Sequence, residues 1–340
     1  MGRIGNISGR VMVGSSKRLI WMRILHIENT AGVAWQIAQG QRALGHQAEV
    51  LETYRGWIRF GHDHENYYEG PVIPIKMLRT LLLARQFDII HVHAGIAFKR
   101  IDIPAIKRLL RKPLVVHYHG SETRMGYGMH YQDLADAKIV ATPDLLQWHP
   151  GATYVPIPQA SLEYHQEFDG RLKVLHSPTN RRLKGTDLIL EAIDRAKEEG
   201  VPFDFTLVEG ASHEELLERF RHNNVYIDRV IAEADGRPIG TMGVAPLEAM
   251  STGNAVVMHI NEQYLQFYEG CPVINVQPTV ESVVSSLRDL ATRPEKIKEL
   301  GERGARYVAE TRDPKAIAQM CLDIYERVLA KRGRPARSAP

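Results

Sequence analysis

The sequence predicts an α/β protein built from two Rossmann-like halves. Three observations carry that expectation. Short apolar runs suit strands buried on both faces, amphipathic segments alternate with them, and the same rhythm restarts after a proline-stiffened stretch, Tyr154-Val155-Pro156-Ile157-Pro158. At 340 residues the chain has room for two domains, each able to bury its own core. No run reaches the roughly 18 apolar residues of a membrane span.

Taken in order, residues 1–21 are polar, glycine-containing and cationic, and they lack the apolar run of a signal peptide. They read as a disordered extension, or as translation from a start upstream of Met22. The first domain is expected over 22–155. Ile24 to Ile27 is a short buried strand, Asn29-Thr30-Ala31-Gly32 a turn of small residues, Val33 to Leu44 an amphipathic helix and Ala48 to Leu51 a second strand. This βαβ unit lacks the G-x-G-x-x-G fingerprint, since only Gly32 is present, which argues against a nicotinamide or flavin enzyme.

Tyr54 to Pro74 is irregular and aromatic, with Arg55, Arg59, His62 and His64 interleaved. It suits either an acceptor- or membrane-contacting loop or a variable solvent loop. The helix Ile75 to Arg85 sets Lys76, Arg79 and Arg85 among leucines. Packing of those leucines on the sheet, with basic ends snorkelling outward, is expected; contact with anionic lipid is the other reading.

Two strands carry histidines at alternate positions, Ile89-Ile90-His91-Val92-His93 and Leu114-Val115-Val116-His117-Tyr118-His119. Period-two spacing puts each pair on one face. Two H-x-H pairs can share a metal, yet no Asp, Glu or Cys stands at a matching spacing. The positional reading is that His93 and His119 end parallel strands, where open α/β sheets bind ligands. Ser121-Glu122-Thr123-Arg124 then offers groups that orient an acceptor or cap a helix, and Lys138 to Ala141 is the next strand.

A linker is expected over 156–171 and a second domain over 172–312, with strands at Leu172 to Leu175, Phe203 to Val208, Val225 to Asp228, Ala255 to Met258 and Pro272 to Asn275. Helices are expected at Thr186 to Glu199, Glu214 to His222, Val244 to Ser251 and Val280 to Thr292. Two more follow, Pro294 to Glu310 and Pro314 to Leu329, before a basic tail over 331–340.

The most informative stretch is Gly243 to Val257. A helix there puts Val244, Leu247 and Met250 on one buried stripe, while Glu248 has no basic residue within four positions to pair with it. The second is His176 to Asp187, a basic loop after a strand in which Lys184-Gly185 opens a helix. A diphosphate would meet Lys184 together with free backbone N–H groups there.

The pattern G-x-x-x-L-E-A-M followed by S-x-G-x-x-V-V resembles the donor-site signature of retaining glycosyltransferases of family 4, and the basic loop ending in Lys-Gly resembles the diphosphate loop of that family. The resemblance implies the GT-B fold, two Rossmann-like domains facing each other across a cleft, with the helix 313–330 returning to the first domain. It implies transfer of a sugar from a nucleotide-diphosphate-sugar to a hydroxyl acceptor with retention of configuration, without a metal or other cofactor. It also implies roles: Glu248 holds the ribose; Asn180, Arg181, Arg182, Lys184, Gly243 and Val244 bind the donor; His119 faces the transferred sugar; and Gly32, His93 and Arg124 form the acceptor and sugar side. Catalysis is expected of His119, Lys184 and Glu248.

Two departures stand out. Family members usually carry an arginine five or six residues before the lysine, where this chain has Thr179 and Pro178. They also carry a glutamate eight positions before the ribose-binding one, where this chain has Gly240; Glu233 or Asp235 is the available substitute.

Of the 43 basic residues, Arg3, Arg10, Lys17 and Arg18 precede Met22, and Lys331, Arg332, Arg334 and Arg337 follow Ala330. Neither segment contains an acid, so the remaining body is acidic by five, which argues against a nucleic-acid partner. Two cysteines argue for a reducing, cytoplasmic compartment. The expected partners are a nucleotide-sugar and a carbohydrate, lipid-linked or small-molecule acceptor in glycoconjugate or polysaccharide synthesis, with peripheral contact at the inner face of a membrane. A non-catalytic nucleotide-sugar binder and a histidine-metal hydrolase remain the alternatives.

Overall fold

The computed structural model describes residues 21–55, 60–69, 72–93, 101–124, 131–165 and 169–333. The expected extension over 1–21, apart from Trp21, lies outside them, as do Trp57 and Arg59 of the aromatic loop and most of the basic tail. In chain order the first half contains β1 (Arg23–Ile27), α1 (Val33–Ala43), β2 (Gln47–Glu52), β3 (His64–Glu65), α2 (Ile73–Ala84), β4 (Ile89–His93), α3 (Asp102–Arg108), β5 (Leu114–Tyr118), α4 (Ser121–Arg124), β6 (Ala137–Val140) and β7 (Thr153–Tyr154). The second contains β8 (Lys173–His176), α5 (Arg181–Lys184), α6 (Thr186–Glu198), β9 (Asp204–Leu207), α7 (His213–His222), β10 (Val225–Ile227), β11 (Glu233–Ala234), β12 (Arg237–Pro238), α8 (Val244–Ser251), β13 (Ala255–Met258), β14 (Ile274–Asn275), α9 (Val280–Thr292), α10 (Glu295–Thr311) and α11 (Pro314–Lys331).

The first sheet has the order β3-β2-β1-β4-β5-β6-β7 and the second β14-β13-β10-β8-β9, with every pair in both sheets parallel. Apolar strands such as Ile89–His93 and Ala255–Met258 are buried along their whole length, as strands covered by helices on both faces must be. Strand order reverses between β1 and β4 in one sheet and between β8 and β10 in the other. Those switch points open crevices at the carboxyl ends of the strands, and they set where a ligand can enter. β11 and β12 form a small antiparallel hairpin.

α11 crosses back to the first half and packs on α1 through Ile317, Ala318, Cys321 and Tyr325, all buried. The crossing is close because α1 offers Gly40: a Cβ there would lie 2.2 Å from the carbonyl oxygen of Pro314 and 2.8 Å from Ala318 Cβ. Arg332 fixes the far end, 2.8 Å from Asp136 and 3.0 Å from the Arg111 carbonyl.

α2 corrects an expectation. Its leucines are expected to pack on the sheet, and Leu81 and Leu83 do pack against the core, but the fully buried positions are Thr80 and Ala84, while Ile75, Leu78 and Leu82 are more than half exposed. The reason lies outside the helix. Asn66 Nδ2 donates to Thr80 Oγ1 at 2.9 Å and the Tyr68 hydroxyl to the same oxygen at 2.8 Å, and these bonds turn the polar position inward.

Gly40→Ala should destabilise the protein by about 1–3 kcal/mol, because the facing atom is backbone and cannot rotate away. Thermal melting checks this, and an unchanged midpoint would mean that α1 and α11 part without cost.

Candidate functional site

A cleft of about 250 Å³ opens where the two switch points face each other. Thr30, Ala31, Phe60, His119, Arg124 and Thr142 line it from the first half, and Ser177, Lys184, Ser212, His213, Arg229, Thr241, Gly243, Val244 and Glu248 from the second. The loop after β8 and the pair Asp228-Arg229 after β10 both leave the second sheet at its reversal, so topology alone brings Lys184 beside Arg229.

Three cations meet here, Lys184 and Arg229 from the second half and Arg124 from the first. Lys184 Nζ is ion-paired with Asp228 Oδ1. Arg124 grips Asp144 with two bonds of 2.8 Å, from Nε and Nη2, and also reaches Thr142 Oγ1 at 3.0 Å. Arg229 makes its side-chain hydrogen bonds to carbonyls, at 3.0 Å to Leu183 and 3.4 Å to Thr241. Burial lowers the pKa of Lys184 and of Arg229, and the charge of Arg124 pushes Arg229 down further. Burial pulls the other way on Asp228, but Lys184 and Arg229 outweigh it and hold that carboxyl below its usual value. At this end of the cleft three positive groups share two carboxylates, while the third carboxylate of the cleft, Glu248, is engaged by His213, and such a cationic end is an arrangement completed by an anion.

Asp144 also accepts from Thr241 Oγ1 at 2.9 Å, so one buried carboxylate from the first half binds the second. Nearby, Gln147 Nε2 donates to the Pro238 carbonyl at 2.8 Å.

Glu248 sits on α8, which is buried from Pro246 to Ser251 because it lies under α10. Its missing partner comes from another helix: His213 Nε2 is 2.6 Å from Glu248 Oε1. Ser212 caps α7 through the Glu215 N–H and sets His213 at the first turn. The hydrogen bond to Glu248 raises the pKa of His213 against the opposing effect of burial. Gly243 is the N-cap of α8, extended at φ −97°, and nothing stands within 4 Å of where its Cβ would be. The first N–H groups of α8 therefore reach the cleft beside Glu248.

Behind the opposite wall is a layer of imidazoles. His26 and His91 are register partners on β1 and β4, as are His93 and His117 on β4 and β5. His26 Nδ1 is 2.9 Å from His93 Nε2, and His93 Nδ1 is 3.0 Å from His119 Nε2, which brings the layer to the cleft surface. At the other end Gln41 bonds His26 at 2.9 Å, and the Tyr325 hydroxyl of α11 meets His91 Nδ1 at 2.5 Å. Burial pushes the pKa of His26 down to about 4 and those of His91, His93, His117 and His119 well below the ordinary value. The layer is neutral at pH 7. Two groups, His26 with His91 and His93, and His93 with His117 and His119, bring ring nitrogens within 4.8 Å of one another, so a metal has candidate ligands here.

Of the residues singled out in the sequence, His119, Lys184, Glu248, Arg124, Gly243 and Val244 converge on the cleft. His93 stands one imidazole behind it. Gly32 caps α1 at φ 74° with Phe60 over it, while its neighbours Thr30 and Ala31 line the cleft. Asn180, Arg181 and Arg182 are not lining residues: Asn180 caps α5 through the Leu183 N–H, Arg181 pairs with Glu209 at 3.1 Å and Arg182 with Asp235 at 3.3 Å. Lys184 closes the single turn α5 rather than opening a helix, because Gly185 adopts the left-handed conformation at φ 70° and α6 starts only at Thr186. Gly240 is likewise committed, at φ 103° with Asn261 N 3.0 Å from any Cβ, so no glutamate side chain is accommodated there without strain. Glu233 and Asp235 are exposed and do not line the cleft. Sequence reasoning missed Arg229, Thr241 and His213. For Arg229 the signal was available, a charged pair directly after a buried parallel strand.

No protein-family model and no curated protein matches the sequence. Solved structures do match. The chain is similar to Anabaena HepE in complex with UDP and glucose, at 12% identity over 90% of this chain and 100% of the other with a TM-score of 0.64. It is similar to sucrose-phosphate synthase from Thermosynechococcus elongatus, at 14% identity over 91% and 99% with a TM-score of 0.63. An alpha-glucosyltransferase in complex with UDP and a 13-mer DNA superposes at a TM-score of 0.67, with 12% identity over 89% and 98%. Identities this low establish the architecture: the chain has the GT-B fold, two Rossmann-like domains facing each other across a cleft.

The imidazole layer generates a pH dependence. Each of these histidines has a folded pKa below its unfolded value, so the unfolded chain binds protons that the folded one does not. Their contribution is complete above about pH 6.5 and is lost as pH falls, by up to about 1.4 kcal/mol per histidine per pH unit. Thermal melts should therefore drop steeply between about pH 7 and pH 5, before most carboxylates titrate. A flat profile over that range would contradict a neutral, buried layer.

Proposed function

We propose that this protein is a glycosyltransferase that moves a sugar from a nucleotide-diphosphate-sugar to a hydroxyl acceptor, with retention of configuration, in the manner of family 4. The observation that carries the reading is the cluster of three cations, Lys184, Arg229 and Arg124, sharing two carboxylates beside the N-terminus of α8 and the buried carboxylate of Glu248. A nucleoside diphosphate has the matching chemistry: two acidic phosphates for the cations and backbone N–H groups, and ribose hydroxyls that donate to Glu248. Structural neighbours were obtained with UDP, which makes UDP-sugars the first donors to test.

In this reading Arg229 takes the place of the arginine that the loop before Lys184 lacks. The cations stabilise charge on the departing diphosphate, where the barrier is largest. The acceptor oxygen bonds to the anomeric carbon from the face the diphosphate leaves, the carbon–oxygen bond to the diphosphate breaks, and the acceptor proton passes to the leaving oxygen. His119, neutral, hydrogen-bonds the sugar, and the 30–32 turn and Arg124 border the acceptor side. The reading assigns no step to a metal or other cofactor, and the acidic body gives no reason to propose a nucleic-acid acceptor.

Gly240 favours a second reading, a binder that holds the donor without turnover, since one sugar contact is missing. The imidazole groups favour a third, a metal-dependent hydrolase. Metal analysis of the purified protein separates the third: stoichiometric zinc or a similar ion supports it. Assay of sugar release and transfer across UDP-, GDP-, ADP- and dTDP-sugars separates the first two.

Arg229→Met should weaken nucleoside diphosphate binding about 10- to 100-fold, the equivalent of the 1.5–3 kcal/mol of a hydrogen bond to a charged group. Glu248→Gln should also weaken binding while leaving the melting temperature nearly unchanged, because the amide oxygen still accepts from His213. Calorimetric affinities equal to wild type in both variants would remove the nucleotide from this cleft.

A further inference from the structure

We infer that the face formed by α2 and the end of α3 docks on an anionic lipid bilayer. α2 packs Leu81 and Leu83 against the core but leaves a second apolar stripe off the protein. Thr80 and Ala84 face the protein, and Ile75, Leu78 and Leu82, spaced three and four apart, form one stripe in water at 55%, 54% and 57% exposure. Arg79 and Arg85 stand exposed on the same helix. Lys112 Nζ donates to the Arg85 carbonyl at 2.8 Å and brings the segment after α3 against the end of α2, adding the exposed Leu109, at 75%, with Arg108 and Arg111. The sequence has no acid from Val72 to Phe87 or from Ile103 to Pro113.

Large apolar side chains flanked by cations match the boundary between acyl chains and phosphate headgroups. Charge selects this occupant over others. A second copy of the chain placed here by two-fold symmetry would set arginines against arginines. The two ends of the sequence are themselves cationic and acid-free, so neither complements the face. Apart from its cationic ends the chain carries more acids than bases, so an anionic membrane selects this face over the acidic remainder of the body. Among the described residues no helix is long and apolar enough to cross a membrane, so the association is with the surface.

The inference is independent of the proposed catalysis, since the test needs no donor. The full chain is floated with vesicles of phosphatidylcholine alone or mixed with phosphatidylglycerol, at low and high salt. Wild type is expected to float with the anionic vesicles at low salt and to be released by high salt. Leu78→Glu with Leu82→Glu, and separately Arg79→Glu with Arg85→Glu, should each lower the partition coefficient more than about ten-fold. The melting temperature should be preserved, because these side chains are exposed. Failure of wild type to float, or flotation of both variants like wild type, overturns the proposal. So does a concentration-dependent dimer in sedimentation velocity that Leu78→Glu abolishes, which would assign the face to a second copy.

Discussion

The arrangement depends on the carboxylate of Asp144. It is fully buried, belongs to the first half, and is satisfied by Arg124 from the same half and Thr241 from the other. A charge in that position cannot be left alone, since removing one partner of a buried pair costs about 3–5 kcal/mol. The requirement therefore holds the two halves at one spacing on the floor of the cleft. It also occupies Arg124, so among the described residues the side chain of Arg229 hydrogen-bonds to carbonyls rather than to a carboxylate. The cationic character of this end of the cleft follows from how this one acid is shared.

Topology explains why that charge meets the other groups. Both sheets reverse their strand order next to the cleft, and the segments that leave at the reversals carry the chemistry: Thr30 and Ala31 after β1, Lys184 after β8, Arg229 after β10. The two walls differ in character. One is cationic, and the other is a histidine layer that burial keeps neutral and that α11 locks from behind through Tyr325. Such a contrast suits a ligand with a charged half and an uncharged, hydroxyl-bearing half.

Much of this was legible in the sequence, for identifiable reasons. Buried parallel strands are continuous apolar runs, so Ala255–Met258 stood out, and α8 and α9 occupy the spans their apolar periodicity predicts, Val244–Ser251 and Val280–Thr292. Glu248 was conspicuous because no neighbour in sequence could neutralise it. What stayed hidden depends on partners far along the chain. His213 reaches Glu248 across 35 positions, and Asp228 claims Lys184 across 44. The rotation of α2 was hidden because hydrophobicity alone does not say which leucines are buried, and two hydrogen bonds to Thr80 bring Leu81 and Leu83 to the core while Leu78 and Leu82 stay in water. Arg181 and Arg182 looked like phosphate ligands for their charge, but the left-handed Gly185 ends α5 early, and they turn to surface acids.

On the proposed function the cleft binds a diphosphate through charge and a ribose through Glu248. The most direct measurement is a calorimetric comparison of UDP with uridine on the same protein. UDP should bind at least about 100-fold more tightly, as two or more charge-assisted hydrogen bonds require, and Arg229→Met should remove most of that difference. Equal affinities, or a difference that survives in Arg229→Met, would contradict that reading.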